Sequence, residues 1–224
     1  MKKSVFVAFV VAAAMGGGFV SCDDDSEDGN GSAGVAVDLG LPSGTLWADR
    51  NVGASEAADY GWYLAWGETA PKDAYDWITY KYSGASSSSV NKYYDGDGKT
   101  TLDLSDDAAH VNWGGKWRMP TQEQFEELNS ECTWTWVKDY YGKGVSGFFV
   151  EGLNGNSIFL PSAGDYQDAQ LKYEGRFGMY WGVERRSDES YGACGEHFYS
   201  DYYSTSSHDS RCYGHSVRPV ITAE

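Results

Sequence analysis

Three of the four histidines and two of the four cysteines fall within the last 31 residues, as Cys194-Gly-Glu-His197, His208 and Cys212-Tyr-Gly-His215. The two Cys-x2-His pairs hold the four nitrogen and sulfur ligands that a tetrahedral zinc site uses. On extended backbone, side chains three apart point to opposite faces, so each pair would need a tight turn at Gly195 or Gly214. A Cys194–Cys212 disulfide between neighbouring strands is the stronger expectation in an exported chain, with Cys132 left as a buried free thiol. Ser207-His208-Asp209 has the residue types of nucleophile, base and orienter. Consecutive strand residues alternate faces, though, and the three cannot converge. Asp95-Gly-Asp97-Gly-Lys99 opens like a calcium loop, but Lys99 occupies a ligand position and Asp106 stands where the bidentate Glu belongs. The sequence therefore predicts no catalytic residue, no bound metal and no cofactor: this is not expected to be an enzyme.

A binding surface is the better reading of the same stretch. Between Glu196 and His215, Tyr, Ser, His and Asp fill 14 of 20 positions, with few apolar residues among them. Tyr offers large contact area at low entropy cost, and Ser, Asp and His supply adaptable hydrogen bonds, the mixture used by antibody loops. The expected ligand-binding residues are Arg185, Tyr191, His197, Tyr199, Asp201, Tyr203, Ser207, His208 and Asp209. If residues 197–203 form one strand, alternation places His197, Tyr199, Asp201 and Tyr203 on a common face. Trp113, Trp117, Trp181, Arg118, Arg218 and His110 are read as scaffold.

The N-terminus predicts where that surface is displayed. Met1-Lys2-Lys3 is followed by an apolar run, Val5 to Met15, that is too short to span a bilayer and reads as a signal peptide over residues 1–21. Phe19-Val20-Ser21-Cys22 resembles a lipobox, which makes Cys22 the lipidation site. Residues 22–34, acidic and then Gly/Ser-rich, read as a flexible tether. The expected location is the outer membrane or cell surface, touching the membrane only through the lipid. A formal net charge of −16 argues against nucleic acid as a partner and against an anionic membrane face. A protein or a glycan is the expected ligand class.

Residues 35–224 form the body. Short apolar runs between turn signals predict an α+β domain with a twisted antiparallel sheet, two short helices and long loops. Strands are expected at Val35–Leu39, Thr45–Trp47, Tyr60–Trp66, Gly147–Val150, Ser157–Leu160, Gly178–Gly182 and Ser216–Ile221, the last closing against the first. Residues 67–103 read as a surface insertion. Ser105 is expected to cap one helix turn, and Thr121 with Gln124 to form a capping box whose helix buries Phe125 and Leu128.

The ordered segments Val37-Asp-Leu-Gly-Leu-Pro-Ser-Gly-Thr-Leu-Trp47, Trp113-Gly-Gly-Lys-Trp-Arg-Met-Pro-Thr121, Phe159-Leu-Pro-Ser-Ala-Gly164, Tyr180-Trp-Gly182 and Ser216-Val-Arg-Pro-Val220 resemble the Fibrobacter succinogenes major paralogous domain of bacterial surface lipoproteins. The resemblance covers about residues 35–222. It implies a C-type-lectin-like fold, as in formylglycine-generating enzymes and the variable proteins of diversity-generating retroelements. In the last group a C-terminal segment is rewritten at adenines of its coding sequence and forms the ligand-binding face; residues 196–210 lie at the matching place. The spacing of Cys194 and Cys212 departs from the cysteine pair of the enzymes. A structural or adhesion subunit of a surface assembly is the alternative function.

Overall fold

The computed structural model describes residues 32–222. The expected leader, Cys22 and the tether up to residue 31 lie outside the described residues. In chain order the elements are β1 (Ala36–Asp38), β2 (Leu46–Ala48), α1 (Ala108–Trp113), α2 (Gln122–Glu131), β3 (Thr133–Val137), β4 (Gly147–Glu151), β5 (Ser157–Pro161), β6 (Asp165–Gln167), β7 (Gln170–Lys172), β8 (Phe177–Arg185), β9 (Gly192–Tyr199), β10 (Tyr202–Ser210) and β11 (Val220–Ile221). The class is α+β, with antiparallel strand pairing throughout these elements. Among the described residues the strands make four small sheets, ordered β1-β2-β11, β10-β9-β8, β3-β4-β5 and β6-β7, where one larger sheet was expected.

Local chemistry accounts for the boundaries. Thr121 Oγ1 accepts from Gln124 N at 3.1 Å and Gln124 Oε1 accepts from Thr121 N at 2.9 Å, the reciprocal capping box that starts α2. The cap of α1 is Asp107, which accepts from His110 N at 2.9 Å, while Ser105 sits inside a preceding 3-10 turn. Gly155 at φ +82° lets β4 turn back into β5, where a side chain would be strained.

Two clusters make the core, and β8 separates them. Tyr180 packs with Trp47, Phe125, Leu128, Phe148 and Phe198. Trp181 packs on the other side with Trp66, Tyr75, Tyr80, Tyr93 and Val217. Adjacent strand residues face opposite ways, so one dipeptide anchors both clusters.

Three sequence expectations are corrected. Tyr60–Trp66 is not a strand but an irregular segment held by scattered bonds, among them the reciprocal pair between Leu64 and His215 at 2.9 and 3.0 Å. Residues 67–103 are not a surface insertion: Tyr75, Tyr80, Tyr82 and Tyr93 are buried, because large rings fill space that short strands leave open. The last strand pairs with β2, since Val220 lies opposite Trp47, and so meets β1 only across β2. Ser32 and Ala33, assigned to the tether, are held by Arg50 Nη2 on their carbonyls at 3.2 and 2.8 Å. Among the described residues no helix is long and apolar enough to cross a membrane.

Candidate functional site

The Tyr/Ser/His/Asp stretch folds as a hairpin, with a two-residue turn at Ser200-Asp201 joining β9 to β10. The turn sets which side chains share a face. Tyr202 lies opposite Tyr199, Tyr203 opposite Phe198 and Ser204 opposite His197. His197, Tyr199 and Tyr202 therefore share the outer face, where Tyr199 and Tyr202 stack at 5.1 Å and 22°. Tyr202 is 5.5 Å from the His197 ring, and Tyr199 is 5.4 Å from Phe177 on β8.

Tyr203 is on the other face, which corrects the expected common face of His197, Tyr199, Asp201 and Tyr203. Its ring stacks on Trp134 at 4.6 Å and 13°, and that side of the sheet carries Phe198 and Tyr180 into the core. Side chains do alternate along each strand, but the chain reverses at Ser200-Asp201 and the reversal changes the parity. Asp201 is exposed at the turn tip. Tyr199, Tyr202 and Tyr203 are 37, 41 and 38% exposed, so the hairpin end shows aromatic surface on both faces.

Other predicted site residues do other work. Arg185 is only 9% exposed: its Nε donates to Lys99 O at 2.9 Å, and its Nη1 donates to Arg186 O at 2.7 Å and pairs with Asp95 at 2.9 Å. It clamps the 95–100 segment. Tyr191 is exposed but precedes β9, roughly 25 Å along the strand from Tyr199 at ~3.3 Å per residue. Ser207 and His208 lie on β10 opposite Gly195 and Cys194, after a bulge at Ser206/Ser207; their side chains lie outside the described residues. Asp209, opposite Ala193, turns to the outer face, with Oδ2 3.9 Å from His215 Nε2. His215 is buried flat against Trp181 at 4.0 Å, and burial lowers its pKa despite Asp209 and Asp165 nearby.

The expected Cys194–Cys212 disulfide is not formed. Cys194 Sγ faces Arg185 O at 3.8 Å within the sheet, Cys212 packs in the Trp66 cluster, and both are buried free thiols. Cys132, also free, ends α2 and is half-buried, not fully buried as expected. Among the described residues no three His, Cys, Asp or Glu side chains converge as metal ligands. Asp97 accepts from Lys99 N at 2.9 Å, an ordinary turn contact.

Two features behind the face escaped the sequence reading. Arg211 has no exposed surface: it donates to Tyr80 Oη, Tyr93 O, Ser190 O and Lys92 O at 2.6–3.0 Å and lies 4.5 Å over Trp66. It pins the end of β10 to the 80–93 segment. Glu196 is 1% exposed on the inner face, with Oε2 accepting from Asn129 Nδ2 of α2 at 3.0 Å. Burial pushes its pKa up to about 8, so the neutral acid is the ordinary form beneath the hairpin. Tyr202, Phe177 and Trp134 were missed because only strand register brings them to the hairpin. Scaffold residues read from sequence are in place: Arg218 is fully buried on Asn51 Oδ1, Ala48 O and Phe159 O at 2.8–3.0 Å, and Arg118 lies on Trp117 O at 2.6 Å and His110 Nδ1 at 2.7 Å.

No family model matches the chain, and no curated protein and no solved structure matches it. The hairpin geometry is therefore the main guide to function. The described part of the site holds stacked rings, a carboxylate and backbone edges, a set suited to recognition.

Proposed function

We propose that this protein is a surface-displayed lipoprotein, anchored at Cys22, that binds a macromolecular ligand with the β9–β10 hairpin. Tyr199 and Tyr202 act as aromatic anchors on the outer face and Tyr203 on the inner rim, with Asp201 setting hydrogen-bond specificity at the tip. One observation carries this reading: the hairpin's tyrosines are exposed, while the motifs flanking it, Tyr180-Trp181 and Ser216–Val220, are buried. A rigid frame that presents a changeable edge is what a recognition module requires. The same contrast, with β1 and β11 meeting on β2, supports the proposal of a C-type-lectin-like receptor related to retroelement-diversified proteins. Neither catalysis nor a cofactor is part of the proposal.

The test is binding of the purified ectodomain to arrayed glycans and proteins, compared with a Tyr199→Ala/Tyr202→Ala variant. The proposal expects at least a tenfold loss for the recognised component at unchanged fold. A variant that binds everything the parent binds would refute it. Sequencing the 3′ end of the gene across the source population adds a second test: substitutions confined to adenines between codons 182 and 211 mark a diversified receptor, and an invariant segment marks a fixed ligand.

A second reading has its own observation. β10 is the edge of its sheet, and Tyr202–Ser210 contains neither Lys nor Pro, the usual guards of an exposed edge. An adhesion subunit that pairs this edge with a neighbour would self-associate, and the tyrosine variant would not prevent it.

A further inference from the structure

Where β9 ends and β8 begins, Trp136, Phe177 and Tyr199 line an open groove of about 400 Å³ with Gly175, Arg176 and Ser200. The rings are held before any ligand arrives. Trp136 sits edge-on to Phe148 at 5.2 Å and 78°, Phe177 leans on Tyr173 at 5.1 Å, and Tyr199 lies between Phe177 and Tyr202. Preorganised rings lower the ordering cost of whatever stacks on them. Gly175, at φ +71°, completes the wall without a side chain.

Arg176 supplies the second observation. Every other arginine engages the protein: Arg50 with Asp49, Arg118 with Trp117 O, Arg185 with Asp95, Arg186 with Asp188, and Arg211 and Arg218 with buried carbonyls. The guanidinium of Arg176 is exposed and has no ion pair or hydrogen bond among the described residues. In a chain of formal charge −16, an uncommitted arginine beside three aromatic rings points to an anionic ligand. Its planar fork matches a carboxylate in two-point contact.

We propose that this groove binds a carboxylate-bearing sugar residue of a glycan. The apolar face of its pyranose ring stacks on Phe177, Tyr199 and Trp136, its carboxylate meets Arg176, and the Ser200 hydroxyl meets a ring oxygen substituent. The volume suits one or two sugar rings and is small for a folded partner. The inference rests on the hairpin end being a ligand surface, and it names the class of ligand there.

Oligosaccharides ending in glucuronate, galacturonate or sialic acid, their methyl esters, and an Asp/Glu-rich peptide are titrated into the ectodomain by calorimetry and tryptophan fluorescence. The expected result is saturable binding of at least one acidic sugar, weakened tenfold or more by esterification, by Arg176→Gln and by Tyr199→Ala, with partial rescue in Arg176→Lys. Arg176 is exposed and unpartnered, so Arg176→Gln should melt with the parent. Equal binding of ester and acid, binding of the peptide alone, or no binding of any of the three sugars overturns the proposal. If the array ligand is lost in Tyr199→Ala/Tyr202→Ala yet kept in Arg176→Gln, the ligand face stands and the acidic-sugar groove falls. If neither variant changes it, both fall.

Discussion

Two tyrosine-rich stretches of this chain have met opposite fates. Tyr75, Tyr80, Tyr82 and Tyr93 are buried, while Tyr191, Tyr199, Tyr202 and Tyr203 are exposed. In the first stretch, hydroxyls close onto fixed acceptors: Tyr75 on Tyr63 O, Tyr80 on Trp66 O at 2.8 Å, and Tyr93 on the Asp106 carboxylate. Rings there meet edge to face, Trp66 with Tyr93 at 5.3 Å and Tyr82 with Tyr93 at 5.6 Å. Around the second stretch, Tyr199 and Tyr202 stack on each other, and the buried polar group is Glu196, one strand face away. The same residue type is a core filler where polar partners surround it, and a contact surface where an edge strand holds it over water.

Arg211 joins the two stretches, and its removal is expected to have the largest effect. Arg211→Met leaves the carbonyls of Lys92, Tyr93 and Ser190 without their donor, a loss on the order of 3–5 kcal/mol. At about 2–4 °C per kcal/mol for a domain of this size, thermal denaturation should fall by roughly 10 °C. A fall of a degree or two would mean that the display hairpin does not depend on the buried tyrosines.

The next effect is pH-dependent. Folded Glu196 holds its proton to about pH 8, against 4.5 for the ordinary carboxyl, so across that window the folded state binds more protons than the unfolded. Stability must then fall as pH rises from 4.5 to 8. His215, whose pKa burial lowers, acts in the opposite sense: its contribution is present above pH 6.5 and is lost as pH falls. The Glu196 effect is therefore read above pH 7, where most of His215 is neutral in both states and its contribution changes little. Glu196→Gln should flatten the stability profile between pH 7 and 8 and raise stability at pH 8 by roughly 2–4 kcal/mol. An unchanged slope would mean that the acid under the hairpin is already ionised.

The smallest effect sharpens the comparison directly. Tyr93→Phe loses a bond to a buried carboxylate and should cost about 1.5–3 kcal/mol. Tyr199→Phe should change stability by less than about 0.5 kcal/mol. Equal losses in chemical denaturation would erase the distinction between filler and surface.

Much of the scaffold was legible in the chain. The capping box of Thr121 and Gln124, the β4–β5 hairpin at Asn154-Gly155, the first strand pair around Leu-Pro-Ser-Gly44, and the buried roles of Trp181 and Arg218 all follow from local patterns. These signals are short-range: a cap, a turn residue or an alternation is complete within a few residues. The α+β class follows from their order. The concentration of Tyr, Ser, His and Asp near the C-terminus was equally plain.

What the chain alone could not decide is parity, partnership and depth. Parity depended on a reversal at Ser200-Asp201, which moved Tyr203 away from Tyr199 and brought Tyr202 in. Partnership tied Arg185 to Asp95 and kept Cys194 and Cys212 apart. Depth put Glu196 and Arg211 inside a stretch that reads as solvent-facing, and made core of the tyrosines of residues 67–103. Each is set by contacts between segments far apart in sequence, where the packing of rings and the pairing of buried polar groups outweigh local preference.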